Sequence, residues 1–73
     1  MLEVKCFATL GKYAPPDGKL PFCPGMKVRD VLTLLNIPEK EVKVIFINGK
    51  HSSLDTILSD GDRVGIFPAV GGG

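Results

Sequence analysis

The chain has 73 residues, with nine Lys/Arg against eight Asp/Glu and a net charge of +1. That length holds one domain, and a domain so small buries only about 60% of the surface its unfolded chain exposes. The composition, 44% apolar and 23% charged, is that of an ordinary folded protein, and interspersed charges argue against nucleic acid or an anionic membrane, which need a concentrated basic surface.

No apolar run approaches the roughly 20 residues needed to span a bilayer. The start, MLEVKCFATL, lacks a basic leader and a small-residue cleavage site. The expected compartment is the cytoplasm. Leu2 to Thr9 alternates, with Leu2, Val4, Cys6 and Ala8 on one face and Glu3, Lys5, Phe7 and Thr9 on the other. This is the pattern of a half-buried strand, with Phe7 as an aromatic on its polar side. Pro15-Pro16-Asp17-Gly18 marks a turn. Lys19 to Cys23 reads as a short second strand with Leu20 and Phe22 inward. Pro21 and Pro24 cannot donate ladder hydrogen bonds, which sends this strand to a sheet edge.

Val28, Val31, Leu32 and Leu35 follow the i, i+3, i+4, i+7 spacing of an amphipathic helix. Lys27 is a poor N-cap, and Asn36 and Pro38 stop the helix. After the polar link Glu39 to Val42, the run VKVIFIN (Val42 to Asn48) predicts a central strand with both faces at least partly covered. Asn48-Gly49 is a hairpin turn signal, followed by a short strand from Lys50 to Ser52. Leu54, Ile57 and Leu58 predict one helical turn, and Asp60-Gly61-Asp62 a tight turn. Arg63 to Ala69 is the last strand, with Val64, Ile66 and Pro68 on one face and Phe67 on the other. One helix over a four- or five-stranded mixed sheet is an α+β two-layer fold.

Conventional side-chain catalysis finds no residues here. Two cysteines, Cys6 and Cys23, and one histidine, His51, match no familiar zinc spacing. The cysteines read as small apolar side chains, with Cys6 facing in and Cys23 out, so their Cβ vectors do not converge for a disulfide. His51 reads as an exposed loop residue, Tyr13 as a loop anchor, and Asp60 and Asp62 as turn-formers. The distinctive group is at the end of the chain. Gly71, Gly72 and Gly73 carry no Cβ, so their backbone can enter a channel too narrow for any other residue. They leave directly from Phe67-Pro68-Ala69-Val70 and end in the α-carboxylate.

The opening LEVKCFATL, the helix segment VRDVLTLL, FINGK and, above all, LSDGDRVGIFPAVGGG resemble the MoaD/ThiS family of sulfur-carrier proteins, relatives of ubiquitin. The likeness spans the whole chain. It is closer to the MoaD branch, the small subunit of molybdopterin synthase, in its long first turn and its Phe-Ala and Phe-Pro pairs. It departs at Gly11-Lys12, where many members carry Arg, at Pro68-Ala69, where many carry Pro-Pro, and in the third glycine, Gly71.

The resemblance implies a ubiquitin-like β-grasp domain over residues 1–70 and a flexible glycine tail over 71–73. It implies a carrier with no permanently bound cofactor and no enzymatic activity of its own. A MoeB/ThiF-like activating enzyme uses ATP to adenylate Gly73, and a sulfur donor then leaves a thiocarboxylate there. A MoaE-like large synthase subunit receives that sulfur and supplies the catalytic residues; the acceptor is a pyranopterin on the path to the molybdenum or tungsten cofactor. In a β-grasp sheet the first and last strands are neighbours, which sets Phe7 and Phe67 side by side on the face away from the helix. Phe46 joins them if it points the same way, which its apolar run does not decide. An exposed aromatic cluster marks an interface. Pro68, Ala69 and Val70 would guide the tail, and Arg63 would add a rim contact. Three other readings share this fold: a ThiS-type carrier for thiamine, a ubiquitin-like protein modifier, and a binding module with inert glycines.

Overall fold

The computed structural model describes residues 1–69. Five strands form one mixed sheet: β1 (Leu2–Cys6), β2 (Lys19–Leu20), β3 (Val42–Ile47), β4 (Lys50–Ser52) and β5 (Arg63–Pro68). Their order is β2-β1-β5-β3-β4. The β1–β5 pair is parallel and the other pairs are antiparallel. The helix α1 (Val28–Leu35) covers one face. Leu2, Val4, Ile45, Ile47, Val64 and Ile66 from the sheet meet Val28, Val31 and Leu32 from the helix in one core. Each such side chain contributes about 1.5–3 kcal/mol by leaving water.

Several expectations are corrected. The first strand stops at Cys6, not Thr9. Ala8 takes a left-handed φ of 50° and opens a 3-10 segment, Ala8–Tyr13, so it does not share the inner face with Cys6. Leu10 on this segment is buried instead. The second strand is two residues long because Pro21 cannot extend the ladder, though Leu20 and Phe22 still pack against the core. It is an edge strand, as its prolines required. β3 is an interior strand, as expected, and β5 holds the middle of the sheet. The outer face of β3 is left half-exposed at Val44 and Phe46.

Leu54 to Leu58 is not a helical turn. This stretch runs past the start of α1 and caps it. The Val28 amide donates to the Thr56 carbonyl (3.0 Å) and the Arg29 amide to the Leu54 carbonyl (2.9 Å). Backbone carbonyls thus satisfy the orphan N–H groups that Lys27 cannot reach. The Asp30 carboxylate accepts from the Lys27 amide at 2.9 Å, one half of a capping box. Ile57, 65% exposed, bridges Lys27, while Leu58 is buried in the core and Leu54 packs half-buried against it. At the other end Asn36 sits at φ 60°, its amide donating to the Leu32 and Thr33 carbonyls, and Ile37 donates to Leu32 as a Schellman close. Arg29 joins α1 to Glu39 (2.8 Å) and Asp55 (3.2 Å) at the surface.

Candidate docking surface and tail exit

The face of the sheet away from α1 is the candidate site. Alternation along β5 sends Val64, Ile66 and Pro68 toward the core and Arg63, Gly65 and Phe67 outward. Parallel pairing then sets the outer rows. Glu3 lies beside Arg63, and Lys5 lies beside Gly65. Phe46 lies on the other side of Gly65, with His51 beyond it. Past Cys6 the chain stays extended for one more residue, and the Phe7 amide donates to the Ile66 carbonyl at 3.0 Å. This holds Phe7 over Phe67. The two rings stack with centroids 4.2 Å apart and planes 4° apart. Phe46 points the same way and meets Phe67 edge-on, at 5.5 Å and 83°. His51, exposed on β4 and not in a loop, lies edge-on to Phe46 at 5.8 Å. Phe7 and Phe67 lie side by side as expected, and Phe46, whose facing the sequence left open, joins them.

They border a shallow depression of about 400 Å³, rimmed by Glu3, Lys5 and Arg63. Arg63 is exposed and lies 3.6 Å from the Glu3 carboxylate at the edge of the depression. Gly65, which sequence reasoning passed over, forms the floor. A Cβ built there would lie 3.6 Å from both the Phe7 and Phe67 rings, an ordinary contact. Nothing in its backbone conformation calls for glycine either, since its φ is not positive. A glycine inside a strand costs about 0.5–1 kcal/mol relative to alanine. The one available signal was negative: Gly65 interrupts an otherwise β-branched and aromatic run.

One edge of the depression is set by the β3–β4 hairpin. Asn48 and Gly49 both have positive φ, 52° and 82°, as a two-residue type I′ turn requires. The Asn48 side chain binds across to the start of β5. Its Nδ2 donates to Asp62 at 2.9 Å, and its Oδ1 accepts from the Arg63 amide at 3.0 Å. Asp62 also accepts from the Ser59 amide at 2.8 Å, which makes it the turn-former expected.

Where β5 ends, Pro68 is buried on the core side, so it directs the chain and offers little contact area of its own. The Ala69 amide donates to the Glu41 carbonyl at 2.9 Å, which ties this point to the 3-10 turn Glu39–Glu41. Val70, Gly71, Gly72 and Gly73 lie outside the described residues. Among the described residues no group of three His, Cys, Asp or Glu is placed to hold a metal, and no helix is long and apolar enough to cross a membrane. Cys6 is half-buried and Cys23 exposed, both as free thiols. Burial pushes the Cys6 thiol pKa up.

A five-stranded mixed sheet with β1 and β5 parallel at its centre, and one helix across it, is the ubiquitin-like β-grasp fold. The sequence profile of the ThiS family matches residues 4–73, and the chain belongs to that family, the MoaD/ThiS sulfur-carrier group its sequence resembles. A Pyrococcus furiosus protein assigned as molybdopterin converting factor, subunit 1, is similar to it in structure. The TM-score is 0.72 with 32% identity, covering 94% of this chain and 97% of that one. SAMP1 from Haloferax volcanii shares the fold, with a TM-score of 0.70, 22% identity and coverage of 99% and 98%. No curated protein matches the chain at a significant level.

Proposed function

We propose that this protein carries sulfur on its C-terminal Gly73 as the small subunit of a molybdopterin synthase. The observation that carries the reading is the likeness, at 32% identity over nearly the full length of both chains, to the molybdopterin converting factor subunit of Pyrococcus furiosus. The outer aromatic face supports it, because the strand that bears Phe67 is the one that leads to the tail.

The chemistry follows from the carboxylate. Ionised at pH 7, it resists nucleophiles. In the proposed cycle a MoeB/ThiF-like enzyme joins a Gly73 carboxylate oxygen to the α-phosphorus of ATP and releases pyrophosphate. A sulfur nucleophile then attacks the carbonyl carbon, AMP leaves, and a thiocarboxylate remains. The large MoaE-like subunit takes the sulfur for the pterin, and oxygen from water restores the carboxylate. Gly71, Gly72 and Gly73 give this end its thinness. The four residues past Ala69 reach at most about 14 Å. Any active site that receives Gly73 must therefore open close to Ala69, which puts Phe67 and Phe7 within the partner's footprint.

The test is intact mass after incubation with ATP, a sulfur source and the activating enzyme. Exchange of one carboxylate oxygen for sulfur at Gly73 supports the reading, and conversion of the pyranopterin acceptor by the assembled complex completes it. Sulfur delivered instead to a thiamine thiazole precursor, or conjugates on lysines, would replace it with the ThiS-type or the modifier reading. No mass change, with the enzyme active on a known carrier, would leave a binding module.

A further inference from the structure

Gly65 is unexplained by folding. It lies on the central strand, flanked by ladder partners on both sides, Lys5 and Phe46. Its φ is unstrained, and a Cβ would meet only ordinary contacts. A glycine inside a strand often marks a bulge, a tight bend or a close approach from outside, and Gly65 lies away from the one register shift of the β3–β5 pair. The edges of the Phe7 and Phe67 rings lie 3.6 Å from where its Cβ would stand, and the Phe46 carbonyl oxygen 3.8 Å. Phe67 and Phe46 meet edge-on at 83°, and with Phe7 and Gly65 they line the depression. Glu3 and Arg63 engage each other at one edge of the depression, and Lys5 stands exposed beside Gly65 on the neighbouring strand.

We propose that Gly65 is the specificity-determining residue of this face: it floors a slot, walled by the Phe7–Phe67 stack and Phe46, that takes one aliphatic side chain of the activating enzyme. This rests on the carrier reading. The occupant is a protein because the short segment after Ala69 requires whatever processes Gly73 to press on this end of the sheet. The inserted group is apolar because the walls of the slot are the Phe7, Phe67 and Phe46 rings, between which a polar group would be left unpaired. The activating enzyme is the partner because sulfur transfer and protein modification alike begin with adenylation.

The experiment uses the full chain and a purified MoeB/ThiF-type enzyme from the same organism, following adenylation as AMP–carrier formation. Gly65→Ala should change KM for the carrier by no more than roughly threefold, since its methyl fits. Gly65→Val should raise KM about tenfold or more, with kcat within about twofold, because filling the slot removes ground-state binding alone. Its melting temperature should hold or rise, since valine suits a strand. An unchanged KM for Gly65→Val overturns the slot while leaving the carrier reading intact. A wild-type chain that is not adenylated overturns both. NMR of the wild-type complex gives a readout free of any substitution. Contacts from the Gly65 Hα and the Phe7 and Phe67 rings to partner methyl groups support the slot. Contacts to an aromatic side chain or to none, or a second copy of the chain on this face in sedimentation, overturn it.

Discussion

Phe7 and Phe67, at opposite ends of the described chain, lie ring on ring at 4.2 Å. The contact exists because the first and last strands run parallel, with Cys6 level with Ile66. The residue after each then falls on the outer face. An exposed aromatic stack has a stability cost in solvent contact, and it is the kind of feature that anchors an interface.

Phe67→Ala should weaken binding to the activating enzyme or the large synthase subunit at least about tenfold, or roughly 1.4 kcal/mol. It should lower stability by only about 1–2 kcal/mol, the loss of a half-exposed ring and its stack. Ile66→Ala, one residue earlier and fully buried, should cost about 2–5 kcal/mol. Calorimetric titration and denaturant unfolding of the two variants check the contrast. Equal destabilisation would make Phe67 a core residue.

One residue added after Gly73 should abolish adenylation and leave the fold as it was. The Gly73 carbonyl is then an internal peptide with no ionised oxygen to attack ATP, and the new terminal carboxylate lies one residue beyond the position that the activating site must read. Intact mass and circular dichroism together check this. Normal activation of the extended chain would show that the identity and position of the last residue are not read.

Asn48 serves the hairpin twice, through its positive φ and through its bonds to Asp62 and Arg63. Asn48→Gly keeps the turn and loses the bonds, and should cost about 1 kcal/mol. Asn48→Ala loses both, and should cost about 2–3 kcal/mol. Urea midpoints separate the two contributions. Equal losses would mean that the left-handed conformation carries no weight here.

The thiols should differ in reactivity. The thiolate is the nucleophile, and burial raises the Cys6 pKa, so less thiolate is present at any given pH. Iodoacetamide at mildly alkaline pH should label the exposed Cys23 first, with Cys6 following at higher pH. The same shift ties stability to pH. The contribution of a neutral Cys6 is complete below the ordinary thiol pKa and is lost as pH rises through the raised folded value. Peptide mass mapping over a pH series measures the labelling, and Cys6 labelled as fast as Cys23 would refute the burial argument.

Local patterns read well where one residue type admits one geometry. Asn48-Gly49 is a type I′ turn because those residues tolerate positive φ, and Val28, Val31 and Leu32 point inward because the helical period puts them on one stripe. Pro21 held the second strand to the sheet edge. The misreadings fall where a distant segment supplied the missing partner. Leu54 to Leu58 has a helix-like spacing, yet its carbonyls are taken by the amides of Val28 and Arg29. Ala8 continues an alternating pattern, yet the chain turns left-handed there and buries Leu10 in its place.

The sequence by itself determined the composition of the two layers, the inward face of the last strand, the family resemblance and the glycine end, because periodicity, turn chemistry and motif are local properties. Only the tertiary structure decided that β5 lies at the centre, that Phe46 joins the Phe7–Phe67 stack and that Gly65 floors the space between them. Those depend on strand order and register, which are set by how non-local strands share one core and not by any residue's own preference.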